Sequence, residues 1–207
     1  MGIGTHDTTA RVTRSRLERY RREMPPRQGQ WTPDAYLWLT ERSNRLIELT
    51  DGYIEELPVP TDEHQSLVAC LYGAFSAFLR GKGGKALFAP LRLRVREARF
   101  REPDLLLVAD ATDPRRRSRF WIGADVVVEV VSPDQPERDL VDKRADYAEA
   151  GVPEYWIVDP RFDAVTVLAL EGAVHVEHGV STRGMRAESA LLEGFSVDVD
   201  TVFDAAL

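Results

Sequence analysis

The segment 125–131, Asp-Val-Val-Val-Glu-Val-Val, constrains the fold of this 207-residue chain more than any other. It is rich in β-branched residues, and apolar side chains occupy both faces that alternate along a strand. Such a strand is typical of the middle of a sheet that is covered on both sides. Glu129 is the exception, and it shares a face with Val127 and Val131. An ionised carboxylate in that position is costly unless a cation accompanies it.

Apolar periodicity predicts the elements on either side of this strand. The predicted core elements are a helix over 64–80, strands over 86–96, 104–109 and 125–131, a helix over 137–150 and a strand over 155–158. Consecutive strands suggest an antiparallel meander, and the β-α-β step suggests a parallel pair. The order αβββαβ therefore predicts an α/β fold of the α+β mixed-sheet kind, with helices on both faces.

Two hairpins are predicted outside this core. Residues 45–57 place Asp51-Gly52, a type I′ turn signal, between two apolar runs. Residues 164–170 and 173–178 are predicted to form a C-terminal hairpin around Glu171-Gly172.

Length and composition bound the class of protein. The length suits one domain over 31–207, preceded by a mobile basic tail over 1–30 that can include a short helix at 11–23. The single cysteine, Cys70, excludes a disulfide framework and a cysteine-ligated zinc site. No apolar run reaches the ~20 residues that span a bilayer. A cytoplasmic protein without a membrane segment is expected.

The net charge of −7 conceals a basic segment. Residues 80–119 carry twelve basic and five acidic side chains, a net charge of +7. A basic stripe is typical of a surface that binds a polyanion, although a solvated strand and loop explains it equally well. The candidates for phosphate contact are Arg92, Arg94, Arg96, Arg115, Arg116 and Arg117.

Asp104 and Glu129 are the strongest candidates for chemistry. Pro103-Asp104 begins the strand before 125–131, and neighbouring strands can bring the two carboxylates side by side. Mg²⁺ favours one or two carboxylates with water and phosphate oxygens, which suits metal-assisted attack on a phosphodiester. The alternatives are a structural salt bridge for Glu129 and a strand-entry role for Asp104.

Three further residues are weaker candidates. Lys143, one helical turn after Asp139, can neutralise charge on a phosphate, or it is a surface lysine paired with that aspartate. Glu48 is a possible metal ligand or an ordinary exposed strand glutamate. His64 begins the amphipathic helix, where capping or hydrogen bonding is commoner than catalysis.

These residues resemble the motifs of the Uma-two family of restriction-endonuclease-like proteins. The resemblance covers roughly 31–205, and its most specific part is the block 151–160, Gly-Val-Pro-Glu-Tyr-Trp-Ile-Val-Asp-Pro. The other matching landmarks are residues 47–52, His64, Pro103-Asp104, residues 128–133, Asp139, Lys143 and Tyr147. The family looks like a branch of the PD-(D/E)xK nuclease superfamily, whose core order is also αβββαβ.

The resemblance implies a role for each motif residue. Asp104 and Glu129 are expected to hold Mg²⁺ or Mn²⁺, and Glu48 to complete the site. The usual lysine, two residues after the motif acid, is replaced here by Val131, and Lys143 looks like its migrated substitute. His64, Asp139 and Tyr147 are expected as auxiliary residues.

The main hypothesis is therefore a Mg²⁺-dependent DNA endonuclease, expected to act as a homodimer because two-fold symmetry suits cutting both strands of a duplex. The alternative is a non-catalytic nucleic-acid-binding or regulatory module on a nuclease-derived fold. A third possibility is a protein-interaction role for the acidic C-terminal half.

Overall fold

The computed structural model describes residues 25–207, which form short strands and helices around two main sheets. In chain order these elements are α1 (Pro33–Thr40), β1 (Ile47–Thr50), β2 (Tyr53–Glu56), α2 (Asp62–Leu79), β3 (Lys85–Phe88), β4 (Arg92–Arg96), β5 (Arg99–Arg101), β6 (Leu105–Val108), β7 (Phe120–Trp121), β8 (Val126–Val130), a π-helical turn (Arg138–Asp142), α3 (Lys143–Glu149), β9 (Glu154–Asp159), β10 (Ala164–Glu171), β11 (Val174–Ser181), β12 (Arg186–Glu188), β13 (Ser196–Asp198) and α4 (Val199–Asp204).

The apolar strand β8 lies inside a six-stranded sheet of order β11-β10-β9-β8-β6-β3. It pairs antiparallel with β6 and parallel with β9, and all five of its residues are buried. The predicted mixed sheet and parallel β-α-β pair are confirmed. Both neighbours of β8 are themselves fully buried strands, which explains why its sequence is apolar on both faces.

Helices cover the two faces of this sheet and create two cores. On one face, helix α2 packs Leu71 and Phe75 against β8 residues such as Val128. On the other, Tyr147 of helix α3 packs with Val127 and its neighbours. The even and odd positions of β8 thus belong to different cores, and Glu129 is on the α3 side.

A second sheet, of order β2-β1-β5-β4-β7, accounts for the largest error in the predicted elements. The single strand expected over 86–96 is two strands: β3 pairs with β6 in the six-stranded sheet, whereas β4 pairs with β5 and β7 in the second. Pro90 lies between them, and a proline has no N–H to continue a ladder. The chain leaves one sheet for the other at this point.

The β1–β2 hairpin is present as predicted. Asp51 and Gly52 have φ values of 50° and 91° at its turn, as a type I′ turn requires. The N–H groups of Gly29 and Trp31 both donate to the carbonyl of Gly52, and Gln28 bonds to β2. Residues 28–31 therefore contact the β1–β2 hairpin, and the boundary between tail and domain stays a prediction. The rest of that tail, including the helix at 11–23, lies outside the described residues.

The helix predicted over 137–150 begins with the π-helical turn and continues as α3. The predicted C-terminal hairpin is β10–β11, and it is followed by β12, β13 and α4, which were not among the predicted elements. Within residues 25–207, no helix combines the length and the apolar character needed to cross a bilayer.

Candidate active site

Two carboxylates meet where strands β6 and β8 lie side by side. The antiparallel register pairs Leu105 with Val128, and continuing it by one residue places Asp104 across from Glu129. The backbone N–H of Val130 donates to Asp104 Oδ2 at 2.8 Å and ties the aspartate to the neighbouring strand. The sheet thus brings together the two acids that the sequence singled out.

Lys143, the first residue of α3, points its ammonium group at this acid pair. Its Nζ lies 2.8 Å from Glu129 Oε2 and 3.0 Å from Asp139 Oδ1. The side chain is 6% exposed, which excludes the alternative of a surface lysine, although the pairing with Asp139 is present. The Tyr147 hydroxyl donates to Glu129 Oε1, so both carboxylate oxygens of Glu129 face a donor.

His64 lies in the first turn of α2, where its backbone N–H donates to Thr61 Oγ1 at 3.2 Å. Its ring Nε2 lies 3.1 Å from Asp104 Oδ2, and its buried Nδ1 has no hydrogen-bond partner within residues 25–207. Burial lowers the pKa of His64, but the hydrogen bond to Asp104 and the charge of Asp104 outweigh it and raise that pKa above its usual value. The histidine is a direct partner of the candidate motif acid.

The cluster contains more carboxylates than the ammonium group of Lys143 can neutralise. Burial raises the pKa of Glu129 to about 8, and the charges of Asp104 and Asp139 add to the effect against the opposing influence of Lys143. Burial alone lowers the pKa of Lys143, but Glu129 and Asp139 raise it above its ordinary value. The lysine therefore stays charged, and the carboxylates retain a mutual repulsion that a further cation would relieve.

A cavity of about 560 Å³ opens onto this cluster, and Asp104, Glu129 and Lys143 all line it. Its ionisable lining is mostly acidic: the carboxylates are Glu55, Glu56, Glu63, Glu102, Asp104, Glu129, Asp134 and Asp139. The described part of the chain contributes two Lys or Arg side chains to the lining, Arg138 and Lys143. Polyanions are therefore repelled from the cavity unless additional positive charge is bound there.

Glu48, the predicted third acid, is engaged elsewhere. Its Oε2 accepts hydrogen bonds from Arg101 at 2.8 Å and Arg138 at 2.6 Å, and its Oε1 accepts one from the backbone N–H of Glu102 at 3.0 Å. Burial would raise the pKa of Glu48, but the charges of Lys143, Arg101 and Arg138 lower it to about 2. Among the described residues, Glu48 is absent from the cavity lining. The geometry does not favour the predicted role in metal binding.

Three of the six candidate phosphate-contact arginines form ion pairs within the chain. The pairs are Arg92 with Glu102, Arg96 with Asp51 and Glu149, and Arg115 with Asp113 and Asp125. A phosphate would have to displace these carboxylates, so the basic segment is a weaker electrostatic footprint than its sequence suggests.

The other three candidate arginines have no such carboxylate pairing among the described residues. Arg94 lies over the ring of Phe120, with its guanidinium carbon 5.3 Å from the ring centroid. Arg116 donates to the backbone carbonyl of Ala111, and Arg117 is exposed. Their contact with nucleic acid stays a prediction.

Two residues of the lining, Glu102 and Arg138, carry no signal in the sequence beyond their closeness to Asp104 and Asp139. Glu102 Oε2 accepts a hydrogen bond of 3.0 Å from the backbone N–H of Ile47. Burial raises the pKa of Glu102 to about 8. Both residues are positioned by contacts with strand β1, which is distant in sequence: Glu102 accepts from Ile47, and Arg138 donates to Glu48.

The comparisons with known proteins bear on the fold and on the family. A solved structure titled as a "putative nuclease belonging to DUF820", from Anabaena variabilis ATCC 29413, shares the fold with a TM-score of 0.69 at 18% identity. The alignment covers 86% of this chain and 99% of that chain. No curated protein matches the sequence. The model of the Uma2 family, described as "Putative restriction endonuclease", matches residues 33–200. Because that match spans most of the chain, the resemblance seen in the motifs is confirmed, and the chain belongs to the Uma2 family.

Proposed function

We propose that this chain is a metal-dependent endonuclease that hydrolyses phosphodiester bonds in DNA. The observation that carries the proposal is the convergence of Asp104, Glu129 and Lys143 on one cavity. Paired carboxylates suit a divalent cation, and an adjacent ammonium suits the negative charge that develops on a phosphate under attack. The family description, which names a restriction endonuclease, supports DNA as the substrate.

The residues present fit Mg²⁺ or Mn²⁺ better than a metal that needs a full set of protein ligands. Residues 25–207 contain no group of three or more His, Cys, Asp or Glu side chains arranged to hold a metal ion. Mg²⁺ needs one or two carboxylates and takes its other ligands from water and phosphate. Asp104 and Glu129 would hold it, and the hydrogen bonds of Asp104 to described residues all use Oδ2, which leaves Oδ1 for a cation.

The remaining groups of the site orient these residues. Tyr147 holds Glu129, Asp139 holds the ammonium of Lys143, and His64 holds Asp104. Lys143 is buried and charged, so it can stabilise negative charge on the phosphate without reorganising. When bound, the metal supplies Lewis-acid polarisation of the phosphate and a more acidic water.

The acidic lining implies that metal and DNA bind together. Among the described residues that line the cavity, eight carboxylates face two Lys or Arg side chains, so divalent cations should strengthen DNA binding. A homodimer is part of this proposal, and sedimentation of the purified chain with and without duplex DNA would test it.

Plasmid nicking in Mg²⁺ or Mn²⁺ tests the activity. Asp104→Asn and Glu129→Gln should reduce cleavage to background, and Lys143→Met should lower the rate by about 100-fold or more because it removes a preorganised positive charge. Glu171→Gln is a matched control, since Glu171 is an exposed carboxylate on the β10–β11 hairpin. Circular dichroism of each variant separates loss of activity from loss of fold.

Two outcomes would contradict the proposed nuclease activity at this site. If the wild-type chain binds DNA but leaves it intact with either cation, it is a non-catalytic nucleic-acid-binding module. If Asp104→Asn cleaves as well as the wild type, the nuclease activity belongs to another site.

A further inference from the structure

Arg138 is one of the two Lys or Arg side chains that the described part of the chain contributes to the cavity lining. It lies at the start of the π-helical turn, and its side chain is 14% exposed. Lys143, the other Lys or Arg side chain of the lining, already faces Glu129 and Asp139. A phosphate that enters among these carboxylates therefore meets the guanidinium of Arg138 beside the candidate metal site.

Two carboxylates of very different exposure hold this guanidinium. Arg138 Nη2 donates to Glu48 Oε2 at 2.6 Å, and Nη1 donates to Glu55 Oε1 at 2.9 Å. The side chain of Glu48 is fully buried, whereas that of Glu55 is 55% exposed. A guanidinium has five N–H donors, and these two bonds leave three without a partner among residues 25–207.

Glu48 is itself fixed by Arg101, which is not among the described residues that line the cavity, and by the backbone of Glu102, which is one of them. Arg101 donates to its Oε2, and the backbone N–H of Glu102 donates to its Oε1. Both oxygens are thus occupied by donors, and Glu48 presents its charge to arginines rather than to the cavity. Because Glu48 is absent from the described lining of the cavity, the arrangement is suited to aiming a guanidinium rather than to binding a metal ion there.

We propose that Arg138 contacts the phosphate of the substrate, and that Glu48 is the positioning residue that holds Arg138 rather than a metal ligand. The inference rests on the proposed nuclease function and deepens it. The planar guanidinium fork matches two oxygens of a phosphodiester. Exposed ion pairs are weak, so an incoming phosphate can replace Glu55 while the buried bond to Glu48 keeps the side chain in place.

DNA affinity is the first test, measured by fluorescence anisotropy of a labelled duplex with Ca²⁺ over a range of salt concentrations. Arg138→Gln should weaken binding by about tenfold and reduce the salt slope by about 1. Arg138→Lys should keep the salt slope because it keeps the positive charge. It should lower the affinity for DNA because an ammonium lacks the two parallel N–H donors of a guanidinium. Arg183→Gln is the control: Arg183 also joins carboxylates, namely Asp163, Asp200 and Asp204, but it does not line the cavity.

Metal affinity is the second test, measured by calorimetric titration with Mn²⁺ in the absence of DNA. Glu48→Gln should keep the wild-type affinity for Mn²⁺. It should weaken DNA binding to the same extent as Arg138→Gln does. The double variant should bind DNA no more weakly than Arg138→Gln alone, since the two residues act as one unit. Asp104→Asn should lose Mn²⁺ affinity by about tenfold or more.

The proposal is overturned if Glu48→Gln loses as much Mn²⁺ affinity as Asp104→Asn, or if Arg138→Gln binds DNA with the affinity and salt slope of the wild type. A wild-type chain that binds no DNA overturns it as well. Should Glu48→Gln fail to fold, the two Arg138 variants decide the phosphate contact. Cleavage in Mg²⁺ is scored separately: an inactive wild type refutes the nuclease function, while both binding tests still decide the role of Arg138.

Discussion

Glu48→Gln is expected to destabilise the protein in a pH-dependent way. The substitution removes one negative charge from a buried network and conserves volume. Glu48 is fully buried, and it accepts hydrogen bonds from Arg101 and Arg138. These arginines and Lys143 lower its pKa from 4.5 to about 2 in spite of burial, which opposes the change. The folded state therefore favours the charged form of this carboxyl.

The size of the effect follows from the difference between the folded and unfolded pKa values. About 2.5 pKa units at 1.36 kcal/mol per unit correspond to about 3 kcal/mol. Because the folded pKa is the lower one, this stability is present above pH 4.5 and is lost as the pH falls toward 2. Glu48→Gln should therefore lower the free energy of unfolding by about 3 kcal/mol at pH 7 and by roughly half of that or less at pH 3.

Urea unfolding followed by tryptophan fluorescence measures both values, since Trp156 is fully buried in the core. Glu56→Gln is the matched control on the same hairpin, because Glu56 is 53% exposed and pairs with the exposed Arg45. That control should change stability by less than about 1 kcal/mol. A Glu48→Gln variant as stable as the wild type at pH 7, or a deficit that stays constant from pH 7 to pH 3, would refute the reasoning.

The other predictions concern the site and the hairpin turn. Tyr147→Phe removes the hydroxyl that donates to buried Glu129, and it should lower the free energy of unfolding by about 1–3 kcal/mol in urea titrations; an unchanged urea midpoint contradicts that hydrogen bond. Gly52→Ala should lower the melting temperature, because φ is +91° and a Cβ would lie 2.7 Å from the carbonyl oxygen of Gly29. Gly73→Ala should instead raise the melting temperature and increase the free energy of unfolding by up to about 1 kcal/mol. Gly73 lies within helix α2, and no atom lies within 4 Å of the position that a Cβ would occupy. Equal melting temperatures for the two glycine variants would contradict both expectations.

Local sequence was sufficient to predict the central strand and its unusual acid. The valines of β8 are buried on both faces, and Glu129 shares the α3 side of the sheet with Val127. Strand alternation depends on neighbours in sequence, so the placement of Glu129 was predictable. The placement of Asp104 was predictable for a related reason, because consecutive strands usually pair.

The division of residues 86–96 between two sheets was not predictable in the same way. Both halves are good strands, and the choice of partner depends on the β1–β2 hairpin far upstream. Pro90 was visible, but a proline also occurs at edges and bulges of continuous strands. The sheet to which each half belongs is a property of tertiary pairing.

By itself, the sequence determined the class of fold and carried the motifs that resemble the family, and it singled out the candidate acid pair and lysine, because strand periodicity and motifs are local properties. The tertiary structure alone decided which charges neutralise one another. Arg101 pairs with Asp146 across 45 positions, and Arg138 pairs with Glu48 across 90. Ion pairs depend on distances of a few ångströms between side chains whose separation in sequence is unrelated to them. For that reason half of the basic side chains of residues 80–119 are paired with carboxylates of the described residues. Glu48, a predicted metal ligand, is a partner of arginines, and Arg138 joins Lys143 in the lining of the cavity.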